Sequence, residues 1–141
     1  LKELSLAAAI LSPELNIFEA AAINSPLKRG IVAYGNIPLM LFKNCPIKNG
    51  KSCAECDKKG VLTDRKGISF PVRCRMGFSE LLNSVPIFLA DKKADLSSFD
   101  FVTLYFTNES KEEAEEIIKA YKNGRALDIK YTRGLYYRGV I

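Results

Sequence analysis

Apolar and polar positions fall in short blocks along this chain. A run from Ala7 to Leu11 gives way to Ser12-Pro13, where serine suits a helix cap and proline a first helical turn. The pattern predicts a strand and then a helix over about residues 14–23, with Leu15, Phe18 and Ala22 on one face and Asn24-Ser25-Pro26 as its end. Ile31 to Tyr34, framed by Gly30 and Gly35, reads as a second buried strand. A strand, helix, strand order favours parallel pairing through a right-handed crossover. Parallel strands are expected near 7–11, 30–35, 86–90 and 101–106, the last two separated by a short polar segment. The strongest helical signal covers 110–123. Asn108 or Ser110 would cap it, Glu112, Glu113, Glu115 and Glu116 would complement its dipole as a solvated face, and Gly124 would end it. Ala114, Ile117, Ile118 and Tyr121 would form its inward face.

Between these halves the pattern changes. After the apolar run Ile37 to Phe42 comes a polar, basic, glycine-dotted segment in which regular structure is not expected. Val61-Leu62-Thr63 and Ile68 to Val72 flank Asp64-Arg65-Lys66-Gly67, whose aspartate start and glycine end suit a tight turn, so a hairpin is predicted. Pro71 would put its strand at an edge or a bulge. No repeat and no low-complexity linker interrupts the 141 residues, which fit one domain of α/β class, 1–141.

Composition narrows the chemistry more than the fold. Apolar residues at 48% and charged residues at 26% are ordinary globular values, and no apolar run approaches the roughly 20 residues of a membrane span. Histidine is absent, which removes Ser-His-Asp and Cys-His catalysis and every imidazole ligand. Four cysteines are too few for a disulfide scaffold, so a cytoplasmic setting is expected. Leu1 stands where an initiator methionine would, and truncation from a longer protein is expected too.

Charge and sulfur coincide. From Phe42 to Met76 there are nine Lys and Arg residues against three acids, and all four cysteines lie in the same stretch. Cys53 and Cys56 are two residues apart, so their thiolates can converge on one metal; Cys45 and Cys74, from a loop and a strand, would complete a tetrahedral shell. Zinc and an iron-sulfur cluster suit such a set equally, and the surrounding cations offset the thiolate charge. The alternatives are four unrelated reduced cysteines packed as small apolar groups, or a disulfide. The segment 43–76 is thus read as a cysteine-rich, basic, metal-binding insert with a hairpin.

The string Ile31-Val32-Ala33-Tyr34-Gly35-Asn36-Ile37-Pro38-Leu39-Met40, then Asn44-Cys45-Pro46, Cys53, Cys56, Leu62 to Gly67, Phe70-Pro71-Val72, Cys74-Arg75 and Asn83-Ser84 resembles the second half of the collagenase-like proteins classed as peptidase family U (thirty-two). Leu11 to Asn16, Thr132-Arg133-Gly134 and Arg138-Gly139-Val140 resemble further elements of that family. The resemblance implies the C-terminal part of a larger, barrel-like α/β protein. It also implies two activities: proteolysis, recorded in the family name, and hydroxylation of an RNA base or of ubiquinone, with an iron-sulfur cluster on four cysteines. Those ligands would be Cys45, Cys53, Cys56 and Cys74. The chain departs from the family at Leu135, where members commonly have His, and at Asn36, where they often have Arg.

Three functions from different classes compete. In a redox or RNA-modifying protein, the basic residues Lys58, Lys59, Arg65, Lys66, Arg73 and Arg75 would neutralise phosphates, and Tyr34, Tyr136 and Tyr137 would stack on bases. In a peptidase, Asp64 and Glu14 are the remaining acids of interest, Ser25 and Lys28 have a serine-lysine spacing, and a four-thiolate site has no open position for water. In a non-catalytic module, zinc staples the insert to the sheet. Expected partners are RNA, the rest of a parent protein, and other copies of the chain through uncovered apolar edges.

Overall fold

The computed structural model describes residues 5–47, 56, 59–75 and 77–138. They form a mixed α/β structure of eight strands and three helices, in which neither sheet closes into a barrel among the described residues. The chain divides into two compact units, Leu1–Gly35 with Ile87–Ile141 and, between them, Asn36–Pro86.

In the first unit the strands are β1 (Ala8–Ile10), β2 (Lys28–Gly35), β7 (Ile87–Phe88) and β8 (Phe101–Tyr105). β1 and β8 pair with β2 in parallel, and because Gly30 pairs with both Ile10 and Phe101 they lie on opposite edges of it. β7 corrects the expectation of parallel strands near 86–90: it is antiparallel, with Gly35 opposite Ile87. Its direction follows from its connection, since a chain that leaves the end of β2 and returns beside the same residue must run the other way.

Helix α1 (Ile17–Ala22) starts later than the Ser12-Pro13 signal suggests. Asn16 accepts from the Phe18 and Glu19 backbone N–H groups at 3.0 and 2.9 Å, and Glu19 accepts from the Asn16 N–H at 3.1 Å. This reciprocal box needs an acid three residues after the cap, which Asn16 has and Ser12 lacks. Ile17 and Ala20 are buried and Phe18 is 73% exposed, so the buried face is not the Leu15, Phe18 and Ala22 face expected. The segment 91–100 contains a short helix, α2 (Lys93–Leu96). Helix α3 (Lys111–Asn123) is capped by Ser110 with Glu113 in the same reciprocal way, and Gly124 ends it. It buries Ile117 and Ala120, while Ile118 faces outward, one residue away from the expected stripe.

Around these helices the core gathers Tyr34, Phe88, Ala90, Ile117 and Ala120, flanked by Leu104, Phe106, Tyr121, Leu127 and Tyr131. Its polar atoms are satisfied internally: the Tyr121 hydroxyl donates to the Ala33 carbonyl at 2.6 Å and accepts from the Leu89 N–H at 2.8 Å. Arg133 ties the closing segment down, forking onto Asp91 at 2.6 and 2.8 Å and donating to the Phe88 carbonyl. The Arg133 bonds outweigh partial burial and hold the Asp91 carboxyl below its usual range.

The second unit is an antiparallel sheet ordered β3 (Pro38–Phe42), β6 (Phe78–Leu82), β5 (Ser69–Arg75), β4 (Lys59–Thr63). The expected hairpin is present as β4 and β5. Its turn is set by Asp64, which accepts from the Lys66 and Ile68 N–H groups at 2.8 and 2.9 Å, and by Gly67 at φ +77°, where a side chain would be strained. Pro71 lies inside the sheet order, yet pairing of β5 with β6 begins only at Val72, so Pro71 has a strand on one side only. β6 has the reverse of the usual alternation, with Ser79 buried and Phe78 exposed, which is why the apolar pattern does not reveal it. Among the described residues no helix is long and apolar enough to cross a membrane.

Candidate thiolate and basic site

Strand alternation puts Phe70, Val72 and Cys74 on one face of β5 and Arg73 and Arg75 on the other. On the first face Cys74 stands opposite Ser79 of β6. Beyond β3 the chain turns through Cys45-Pro46-Ile47 and comes back over the sheet, where Ile47 packs against Gly60 of β4. A Cβ at Gly60 would meet the Ile47 Cδ1 at 2.3 Å, so only glycine admits this approach. Thus Cys45 is carried toward the end of β5. Cys45 and Cys74, with Lys43, Asn44, Arg75, Gly77, Phe78 and Ser79, line one open cavity of about 480 Å³.

The structure therefore brings together two of the four sequence-predicted thiolates. Neither Cys45 nor Cys74 is in a disulfide, and the Cys74 thiol donates to the Arg75 carbonyl at 3.5 Å. Cys56 is half-buried, and Cys53 lies outside the described residues. Among the described residues, no three His, Cys, Asp or Glu side chains are grouped as a metal shell. Two soft sulfur donors at one opening, with Lys43 beside them, still fit the donor chemistry of a zinc or iron-sulfur site.

The basic residues separate into distinct groups. Arg65 and Lys66 are exposed at the hairpin tip. Arg73 and Arg75 converge on Glu80 of β6, at 2.6 Å from the Arg73 Nη2 and 3.2 Å from the Arg75 Nε, so Arg73 is committed to the sheet while Arg75 stays half-exposed. Burial alone would raise the Glu80 carboxyl, but the bonds from Arg73 and Arg75 prevail and lower it. Glu80 had no signal in the sequence; its role emerges from the β5–β6 register, which sets Arg73 opposite it. Lys59 pairs with Arg73 through β4, and Lys58 lies outside the described residues. The excess of positive charge belongs wholly to this unit: residues 36–86 hold nine Lys and Arg against four Asp and Glu, and the other unit holds twelve of each.

Several candidates fall away. Tyr34 and Tyr136 are core residues, 4% and 0% exposed, with hydroxyls on Glu109 and the Val32 carbonyl. Burial pushes the Tyr136 phenol up to about 12, so it stays neutral, and neither ring is open to a base. Tyr137 is 37% exposed, but its hydroxyl binds Asp95. Of the peptidase candidates, Asp64 is engaged in its turn, Ser25 accepts from the Leu27 N–H, and Glu14 is exposed on a loop. Compared with family models, with curated proteins and with solved structures, the chain finds no match.

Proposed function

We propose that the second unit holds an iron-sulfur cluster, with zinc as the alternative occupant, on Cys45, Cys53, Cys56 and Cys74, and that the protein serves hydroxylation or a related redox modification of an RNA base. The observation that carries this reading is the opening of Cys45 and Cys74 onto one cavity in the unit that bears the whole excess of five positive charges. A bound cluster would supply electron transfer. The residues of the chain would hold it, with Gly60 and Ile47 placing Cys45, the β5–β6 pair placing Cys74, and the cations attracting the phosphate backbone.

The parallel β1–β2–β8 arrangement is read in the same way as part of a larger barrel-like sheet in a cytoplasmic parent protein. Proteolysis is the weaker reading because each acid and hydroxyl considered for it is spent on a turn or isolated. Metal and sulfide analysis of protein prepared without oxygen is the test. Iron with acid-labile sulfide and brown charge-transfer absorption is the expected result. Colourless protein with one zinc per chain and no RNA affinity would replace the reading with a structural zinc staple.

A further inference from the structure

The sheet face that carries Cys74 has a second feature at the opposite end of the hairpin. Leu62 and Phe70 pair across β4 and β5, and Leu81 and Met40 pair across β6 and β3. With Leu39, Thr63 and Asp64 they line a groove of about 350 Å³. Leu39 and Met40 are 54% and 52% exposed, so the groove is open, and five of its seven lining residues are apolar. The next two residues of the turn, Arg65 and Lys66, are exposed, and the Asp64 carboxylate fixes the turn backbone that carries them.

We infer that this groove receives an unpaired base of an RNA strand, with the adjoining phosphates on Arg65 and Lys66. The inference rests on the RNA part of the function proposed above and names the form of RNA. An apolar wall beside two exposed cations, on a unit with an excess of five positive charges, complements a polyanion whose monomers carry flat apolar faces. An apolar peptide would leave the cations uncompensated. A duplex hides the faces that the groove would cover.

The test uses the full chain and fluorescence anisotropy with a short unpaired RNA, its duplex with a complementary strand, and a salt series. The unpaired strand is expected to bind about tenfold tighter than the duplex, since each stacked base contributes about that much or more. Arg65→Glu with Lys66→Glu should weaken binding and flatten the salt dependence, because phosphate contacts set that slope. Leu39→Ser with Met40→Ser, both at exposed positions, should weaken the unpaired strand about tenfold and leave the salt slope, the circular dichroism and the metal content unchanged. Equal binding of duplex, or wild-type affinity in the Ser variants while the Glu variants lose theirs, would overturn the groove and leave the RNA reading standing. Wild-type protein that binds neither form would overturn both. Concentration-dependent association abolished by the Ser variants would make the groove a contact between copies instead.

Discussion

The two units use different means to hold a sheet. In the first, thirteen apolar side chains are buried among the described residues, including Ile31, Phe88, Leu89, Ile117 and Tyr136, and the charges sum to zero. In the second, Val72 and Leu82 are the buried apolar residues among those described, while Leu39, Met40, Leu41, Val61, Ile68 and Phe78 are exposed. Burial supplies the order of the first unit. The second relies on strand ladders, an aspartate-set turn and the Arg73–Glu80–Arg75 contact, each a modest contribution. A segment with so little buried carbon and such an excess of charge is one whose order a bound metal can set, because binding free energy there becomes folding free energy.

Core truncation should separate the two units most strongly. Phe88→Ala removes a ring that packs on Tyr34, Tyr121 and Tyr131, and should cost about 3–5 kcal/mol in denaturant unfolding. Val72→Ala in the second unit should cost about 2 kcal/mol, as two buried methylene equivalents. Equal losses would show that both units are held by burial alike.

Metal removal should act in the opposite place. Chelation, or Cys74→Ser, is expected to lower hydrogen-exchange protection across residues 43–76 by several kcal/mol while α3 around Ile117 keeps its own. Equal protection with and without metal would remove the proposed thiolate site. A finer version displaces the loop and substitutes no cysteine. Gly60→Val drives a side chain into Ile47, shifts Cys45, and should lower metal affinity about tenfold or more, as loss of a supporting contact does. Unchanged affinity would mean that Cys45 is not a ligand.

What the sequence reveals follows the same division. Where burial decides structure, periodicity reports it, so β1, β2, β8 and α3 stand close to the expected positions. Errors there are local, as at α1, where the Asn16–Glu19 box was legible and outranked Ser12-Pro13. In the second unit the turn residues reveal the hairpin. β6 escapes, because Phe78 points out and Ser79 in, and its position is set by pairing with β5 and β3. The convergence of Cys45 and Cys74 was suggested by residue type, but Ile47 on Gly60, the contact that brings them together, has no sequence pattern at all. Ser110→Ala tests the legible side: loss of the Ser110 cap, which the sequence offers beside Asn108, should destabilise α3 by about 1 kcal/mol in thermal unfolding, with the hairpin untouched.

The smallest effect concerns Glu80, and it can be located by its sign. The bonds from Arg73 and Arg75 hold the Glu80 carboxyl below its usual 4.5 in the folded chain. A carboxyl lowered by folding contributes stability that is present above its unfolded value and is lost as pH falls through the folded one. Arg75 is 46% exposed at its side chain, so solvent screens part of the contact and the contribution stays below about 1 kcal/mol. Amide exchange of β5 and β6, followed from pH 6 downward, should therefore begin to accelerate below about 4.5, with the first unit responding separately through Asp91 and Arg133. Glu80→Gln should flatten that acid limb in β5 and β6 alone. If the limb persists in the Gln variant, the sheet is not held by this carboxylate, and the order of the second unit belongs to the thiolate site and the strand ladders.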